Sequence, residues 1–126
     1  MATTTFKSYR DLEVWQKSML LAKRIYQITQ RFSTEERFGL TNQLRRASVS
    51  VPSNLAEGHA RFGAGEFARF ISIAMGSVAE IETQLLLSAD LGYVESEASV
   101  QLLEELETIG KMLRGLAKAI TRRRNA

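Results

Sequence analysis

The sequence has no cysteine, one proline, one tryptophan and one histidine, and each scarcity removes a class of function. Without thiols there is neither a disulfide framework nor a thiolate metal site, which suits a reducing compartment. The lone histidine, His59, has only Glu57 nearby and follows Gly58 at an expected helix end, where a cation-capable side chain complements the last carbonyls. Gly63-Ala64-Gly65 lacks the lysine of a phosphate-binding loop. No apolar run reaches the ~20 residues of a bilayer span, because Glu80 and Glu82 interrupt the most apolar region, Ile71 to Leu91. The opening MATTTFKSYRDLEVW shows no basic-then-apolar leader pattern. These gaps predict a cytoplasmic, non-enzymatic protein with no catalytic, cofactor-binding or metal-ligating residues and no membrane partner.

Charge is nearly balanced, 17 Lys and Arg against 14 Asp and Glu, for a net +3. In the last segment the acids Glu95, Glu97, Glu104, Glu105 and Glu107 precede the bases Lys111, Arg114, Lys118 and Arg122. That order complements a helix macrodipole. Only the triplet Arg122 to Arg124 exceeds what the dipole accounts for, as a short basic tail.

What the chain does have is helical periodicity. Apolar residues recur every three or four positions in four segments, about 8–31, 34–58, 65–91 and 95–121, and no stretch alternates as a strand would. In the first segment the apolar arc is broad, with Leu12, Trp15, Met19, Ala22 and Tyr26 on one face and Val14, Leu21, Ile25 and Ile28 beside it. A helix of this kind is touched on more than one side. Ser33-Thr34 followed by Glu35-Glu36 reads as the cap of the second helix, Gly58 as its left-handed stop, and Gly92 as the end of the third. Short connections between long helices predict an all-α, antiparallel up-down-up-down four-helix bundle, a single domain over residues 1–126.

Pro52 falls inside the second helix. The stripe Ser50, Asn54, Glu57 keeps its phase across it, which favours a continuous, kinked helix over a break.

The most informative stretch is FGLTNQLRRASVSVPSNLAEG, residues 38–58. Gln43, Arg46, Ser50, Asn54 and Glu57 form a polar stripe beside the apolar stripe Leu40, Leu44, Ala47, Val51 and Leu55. The third helix carries its own polar stripe, Ser77, Glu80, Gln84 and Ser88. An antiparallel hairpin of the two helices sets Arg46 opposite Glu80, Ser50 opposite Gly76 and Ser77, and Gln43 near Gln84. The expectation is a buried or half-buried network of Gln43, Arg46, Ser50, Asn54, Glu57, Ser77 and Glu80. Arg46 and Glu80 are its charged pair, Arg45 is the competing partner for Glu80, and Gly76 lets the backbones approach. Such a seam fixes register and partner choice; alternatively, its polar groups line a cleft that meets a ligand.

Several of these residues together resemble a known family. Leu12-Glu13-Val14-Trp15, Gly39-Leu40-Thr41 with Gln43-Leu44-Arg45-Arg46-Ala47, the run Ser50-Val51-Pro52-Ser53-Asn54-Leu55-Ala56-Glu57-Gly58, and Gly76-Ser77 with Glu80 look like the four-helix-bundle proteins encoded in intervening sequences of bacterial 23S rRNA genes, often labelled S23 ribosomal proteins. The likeness runs from about Phe6 to Tyr93, with one departure at Ser33, where the family pattern has proline. It implies a left-handed antiparallel bundle and a ring-shaped homopentamer, in a family for which no enzymatic activity is established. It also implies kinship in fold with the accessory variability determinant proteins of retroelements, which bind nucleic acid and a reverse transcriptase through a basic surface.

The sequence offers its own candidate for such a surface. Arg10, Lys17, Arg24 and Arg31 recur every seven residues, flanked by Lys7 and Lys23, and a heptad spacing drifts only ~20° per repeat around a helix. No nucleic-acid-reading motif accompanies this ridge, so RNA or DNA would be held by backbone phosphates. The competing expectation is an oligomeric scaffold for an unidentified protein partner, with the ridge a solvated face.

Overall fold

The computed structural model describes residues 8–125, with side chains described through Arg122; Lys7 and the side chains of Arg123 and Arg124 lie outside the described residues. Four long helices, α1 (Glu13–Thr29), α2 (Leu40–Ala60), α3 (Ala64–Asp90) and α4 (Ser96–Asn125), account for nearly all of it, with no strand among the described residues.

Helix α1 starts later than periodicity alone suggests. Ser8 accepts the Arg10 N–H and caps a single 3₁₀ turn, Tyr9–Asp11, after which Leu12 turns extended at φ −71°, ψ 122°. Leu12 is buried, so the same apolar side chain that marks the core also marks the bend. The start of α2 is likewise displaced. Ser33 caps a second 3₁₀ turn, Thr34–Glu36, and α2 begins only at Leu40, where Glu36 Oε1 accepts the Leu40 N–H at 3.1 Å. Gly39 makes room for this reach, since a Cβ there would stand 2.6 Å from the same oxygen.

Helix α2 runs unbroken through Pro52. Its end corrects the role expected of Gly58, which lies within the helix, is buried and does not have positive φ. A Cβ at Gly58 would meet Phe70 Cβ at 2.6 Å and Phe67 Cδ1 at 3.1 Å. The residue is glycine because α2 and α3 close to near backbone contact there. Gly76, expected to permit that approach, is exposed and faces open space. Gly63, at φ +93°, makes the turn into α3.

Gly92 does end α3, at φ +81°. Its N–H donates to Ala89 O and that of Tyr93 to Ser88 O at 2.9 Å, the paired bonds of a Schellman cap.

The helices pack as neighbours in chain order, α2 most extensively with α3, and α1 closing onto α4 least. Opposed pairs along α2 and α3, Gln43 with Gln84, Ser50 with Ser77 and Gly58 with Phe70, run in opposite chain directions, so these two helices are antiparallel. One continuous core joins all four helices through Leu21, Ile25, Leu44, Val51, Leu55, Ile71, Ile81, Leu85, Leu106, Ile109 and Leu113. Each such side chain contributes ~1.5–3 kcal/mol of burial. Small hydroxyls enter this core by bonding back to their own helix: Ser18 to Val14 O at 2.6 Å, Thr29 to Ile25 O at 2.7 Å and Ser88 to Gln84 O at 2.7 Å. By length and composition α3 is the one helix among the described residues that could cross a membrane. In this fold its apolar residues Phe70, Ile71, Ala74, Val78, Ile81 and Leu85 face the core instead.

Candidate nucleic-acid interface

The polar stripes of α2 and α3 meet, but unevenly along their length. In the middle, the Ser50 and Ser77 hydroxyls are 2.8 Å apart, and Asn54 Nδ2 donates to both Ser50 O at 2.7 Å and Ser50 Oγ at 2.9 Å. Nearer the start of α2, Gln84 Nε2 donates to Gln43 Oε1 at 3.3 Å. Ser77 and Gln84 are buried, Ser50 and Asn54 half-buried. The seam here is hydroxyl and carboxamide, with no charge in it.

Arg46 and Glu80 correct the expectation of a charged pair. Both are exposed, and among the described residues neither makes an ion pair; they line an open cleft of about 420 Å³ with Phe38, Asn42, Gln43, Ala47 and Ser50. Two long side chains on a wet rim gain little from pairing, because water screens the attraction while ordering them costs entropy. Arg45 does not replace Arg46. It points to α1, where Nε donates to Thr29 Oγ1 at 2.8 Å and the guanidinium lies over the Tyr26 ring, 4.7 Å from its centroid. Glu57 also leaves the seam, pairing with Arg61 at 3.4 Å on the surface.

The basic ridge divides in a similar way. Arg10, Lys17, Arg24 and Arg31 are all exposed, yet only Lys17 and Arg24 belong to α1. Arg10 sits in the 3₁₀ turn before Leu12, and Arg31 follows the end of the helix. Arg24 pairs with Glu105 of α4, so part of its charge is spent on closing α1 against α4. Beside this pair a small pocket is lined by Lys17, Leu20, Thr108 and Ile109, and Lys17 has no carboxylate partner among the described residues.

Between α1 and α2 lies a second groove, about 470 Å³, lined by Trp15, Met19, Tyr26, Val49 and Pro52 among others. It is the apolar counterpart of the polar cleft. Met19, Tyr26 and Val49 are exposed within it. His59 is half-buried with its ring edge-on to Phe67 at 5.7 Å, a packing role at the α2 end. Among the described residues no group of His, Asp and Glu is placed to hold a metal ion.

Sequence reasoning missed three features. Phe38 stands 84% exposed although it precedes an apolar stripe; Arg45 crosses to α1; and Tyr93 OH donates to Glu36 Oε2 at 2.9 Å. Only the second left a signal, in the aromatic Tyr26 on the broad face of α1.

The structure defines an all-α protein of four helices, its central hairpin laced by a neutral polar seam. Residues 10–115 match the model of the 23S rRNA-intervening sequence protein family, and the chain belongs to that family. Among solved structures it is similar to a protein of unknown function from the S23 ribosomal protein family of Bacteroides thetaiotaomicron, with 24% identity, a TM-score of 0.77, and coverage of 83% of this chain and 95% of that one. At that identity the likeness concerns the fold. No functionally curated protein matches the chain.

Proposed function

We propose that this protein is a non-enzymatic homo-oligomer, a ring-shaped pentamer by family resemblance, that holds RNA or DNA backbone on its basic surface. The observation that carries the reading is the exposed set Arg10, Lys17 and Arg31, none of which has a carboxylate partner among the described residues. Each copy in a ring would repeat these cations, so that weak phosphate contacts add through multivalency. Exposed apolar side chains in the α1–α2 groove, at Leu86 and Leu87 of α3 and at Leu91 just past its end supply material for contacts between copies. A cysteine-free chain suits the reducing cytoplasm.

The test is particle mass by light scattering together with retention of polynucleotide across a salt series. Retention should fall steeply with salt, and replacing Arg10, Lys17 and Arg31 with Ala should weaken it for every sequence alike. A monomeric particle would overturn the assembly, and unchanged retention in the triple variant would overturn the surface. The second reading, a scaffold for another protein, is favoured by the aromatic and apolar lining of the α1–α2 groove. It predicts a protein partner whose capture survives nuclease treatment and is lost on Met19→Glu.

A further inference from the structure

We propose that the cleft between the α2 and α3 seams takes one unstacked nucleobase of a single-stranded nucleic acid, a base site that deepens the nucleic-acid reading above and rests on it. The inference comes from the juxtaposition of Phe38, Asn42, Gln43, Arg46 and Glu80 around one open cleft of about 420 Å³.

Phe38 is 84% exposed at the mouth of this cleft, immediately before Gly39 and the first turn of α2. A large apolar ring held in water beside polar side chains is a stacking platform for any base. The Arg37 guanidinium lies over one face of that ring, 5.7 Å from its centroid, and brings a cation to where the phosphates flanking a stacked base would pass.

In the same cleft the exposed Gln43 carboxamide is anchored by one hydrogen bond. Gln84 is only 7% exposed and donates to Gln43 Oε1 at 3.3 Å, which leaves the Gln43 amide hydrogens for a ligand. Gln84 Oε1 is itself buried and has no hydrogen-bond partner among the described residues. Gln84 does not itself line the cleft, and its unsatisfied oxygen leaves the seam next to Gln43 short of one donor.

The unpaired carboxylate narrows the ligand further. Glu80 would repel a phosphate, so a strand entering here must offer it a hydrogen-bond donor. Exocyclic amino groups of cytosine, adenine and guanine are such donors, whereas the one donor on the pairing edge of uracil, its ring N–H, is flanked on both sides by carbonyl oxygens that repel a carboxylate. Arg46 and the amides of Asn42 and Gln43 then serve the acceptors of the same base. Cytosine and uracil are nearly equal in size and stacking, so they isolate the contribution of the amino group.

The test is fluorescence anisotropy at low salt with labelled oligocytidine, labelled oligouridine and a labelled DNA duplex of the same length. The wild-type protein should bind oligocytidine roughly 5-fold or more tighter than oligouridine. Phe38→Ala should weaken both single strands roughly 5- to 100-fold while leaving duplex binding unchanged, and Glu80→Ala should erase the cytidine preference. Because both residues are exposed, the melting temperatures of the variants should match the wild type and separate lost binding from lost folding. Single-strand affinity indifferent to Phe38→Ala overturns the base site while leaving the basic surface standing. Phe38-dependent capture of oligocytidine without any duplex binding does the reverse. A Phe38→Ala variant that changes particle mass instead of strand affinity assigns the cleft to a neighbouring copy, and also overturns the proposal.

Discussion

The Tyr93 hydroxyl donates to Glu36 Oε2 at 2.9 Å while Glu36 Oε1 accepts the Leu40 N–H at 3.1 Å, so one carboxylate ties the α3–α4 turn to the first turn of α2. The phenol also packs against Phe32 with ring centroids 5.5 Å apart. Two segments distant in sequence, the α1–α2 connection and the α3–α4 turn, thus meet at one end of the bundle.

This contact sets a pH dependence. The hydrogen bond to Glu36, then desolvation, then the charges of Glu36 and Glu35 raise the Tyr93 pKa above its ordinary 10.0. A phenol that is harder to ionise in the folded state stabilises the fold fully below pH ~10, the unfolded value, and loses that contribution as pH rises through the folded value. Thermal melts should therefore fall more steeply above pH 10 for the wild type than for Tyr93→Phe. Parallel curves for the two proteins would contradict the linkage.

Gly58 and Gly76 should respond oppositely to alanine. A Cβ at Gly58 meets Phe70 Cβ at 2.6 Å, a contact that only a shift of α2 against α3 can relieve, so Gly58→Ala should destabilise by about 1–3 kcal/mol. Gly76 has nothing within 4 Å of a built Cβ, and Gly76→Ala should stabilise α3 by up to ~1 kcal/mol through helix propensity. Urea denaturation of the two variants checks the signs.

Helix number and type were legible in the sequence because 3.6-residue periodicity reflects one-sided burial, and Leu44, Val51, Leu55, Ile71, Ile81 and Leu85 are all buried on the expected faces. The helix starts were not. Ser8 and Ser33 each carry a good capping signal, but a 3₁₀ turn uses the same signal, and the burial of Leu12 and the bonds of Glu36 to the Leu40 N–H and to Tyr93 mark where the longer helix begins. Polar spacing identified the meeting of Ser50 with Ser77 and of Gln43 with Gln84, because register between antiparallel helices follows from chain numbering. It could not foresee that Arg46 and Glu80 stay apart, since spacing fixes the position of a Cβ and leaves a long exposed side chain to water. Gly58 was misjudged for a related reason: a glycine near a helix end serves either a left-handed turn or a close crossing, and sequence does not separate them.

The Ser50–Ser77 bond should behave as a coupled pair. Each hydroxyl, that of buried Ser77 and that of half-buried Ser50, loses its partner when the other becomes methyl, so Ser50→Ala and Ser77→Ala should each cost about 1 kcal/mol. The double variant should cost less than their sum, with a coupling of at least ~0.5 kcal/mol. Strict additivity in a double-mutant cycle would mean that the 2.8 Å contact adds nothing to the pairing of α2 with α3.

Arg46 and Glu80 supply the contrasting case on the same two helices. Both are exposed and unpaired among the described residues, so Arg46→Ala and Glu80→Ala should each change folding stability by less than ~0.5 kcal/mol. If the two charges instead stabilised the hairpin as a desolvated pair, removing one would strand the other and cost about 3–5 kcal/mol. That gap, nearly tenfold in energy, makes chemical denaturation of the single variants decisive. A neutral outcome places the register of the bundle on the serine and carboxamide seam, and frees the two charged side chains above it for a ligand.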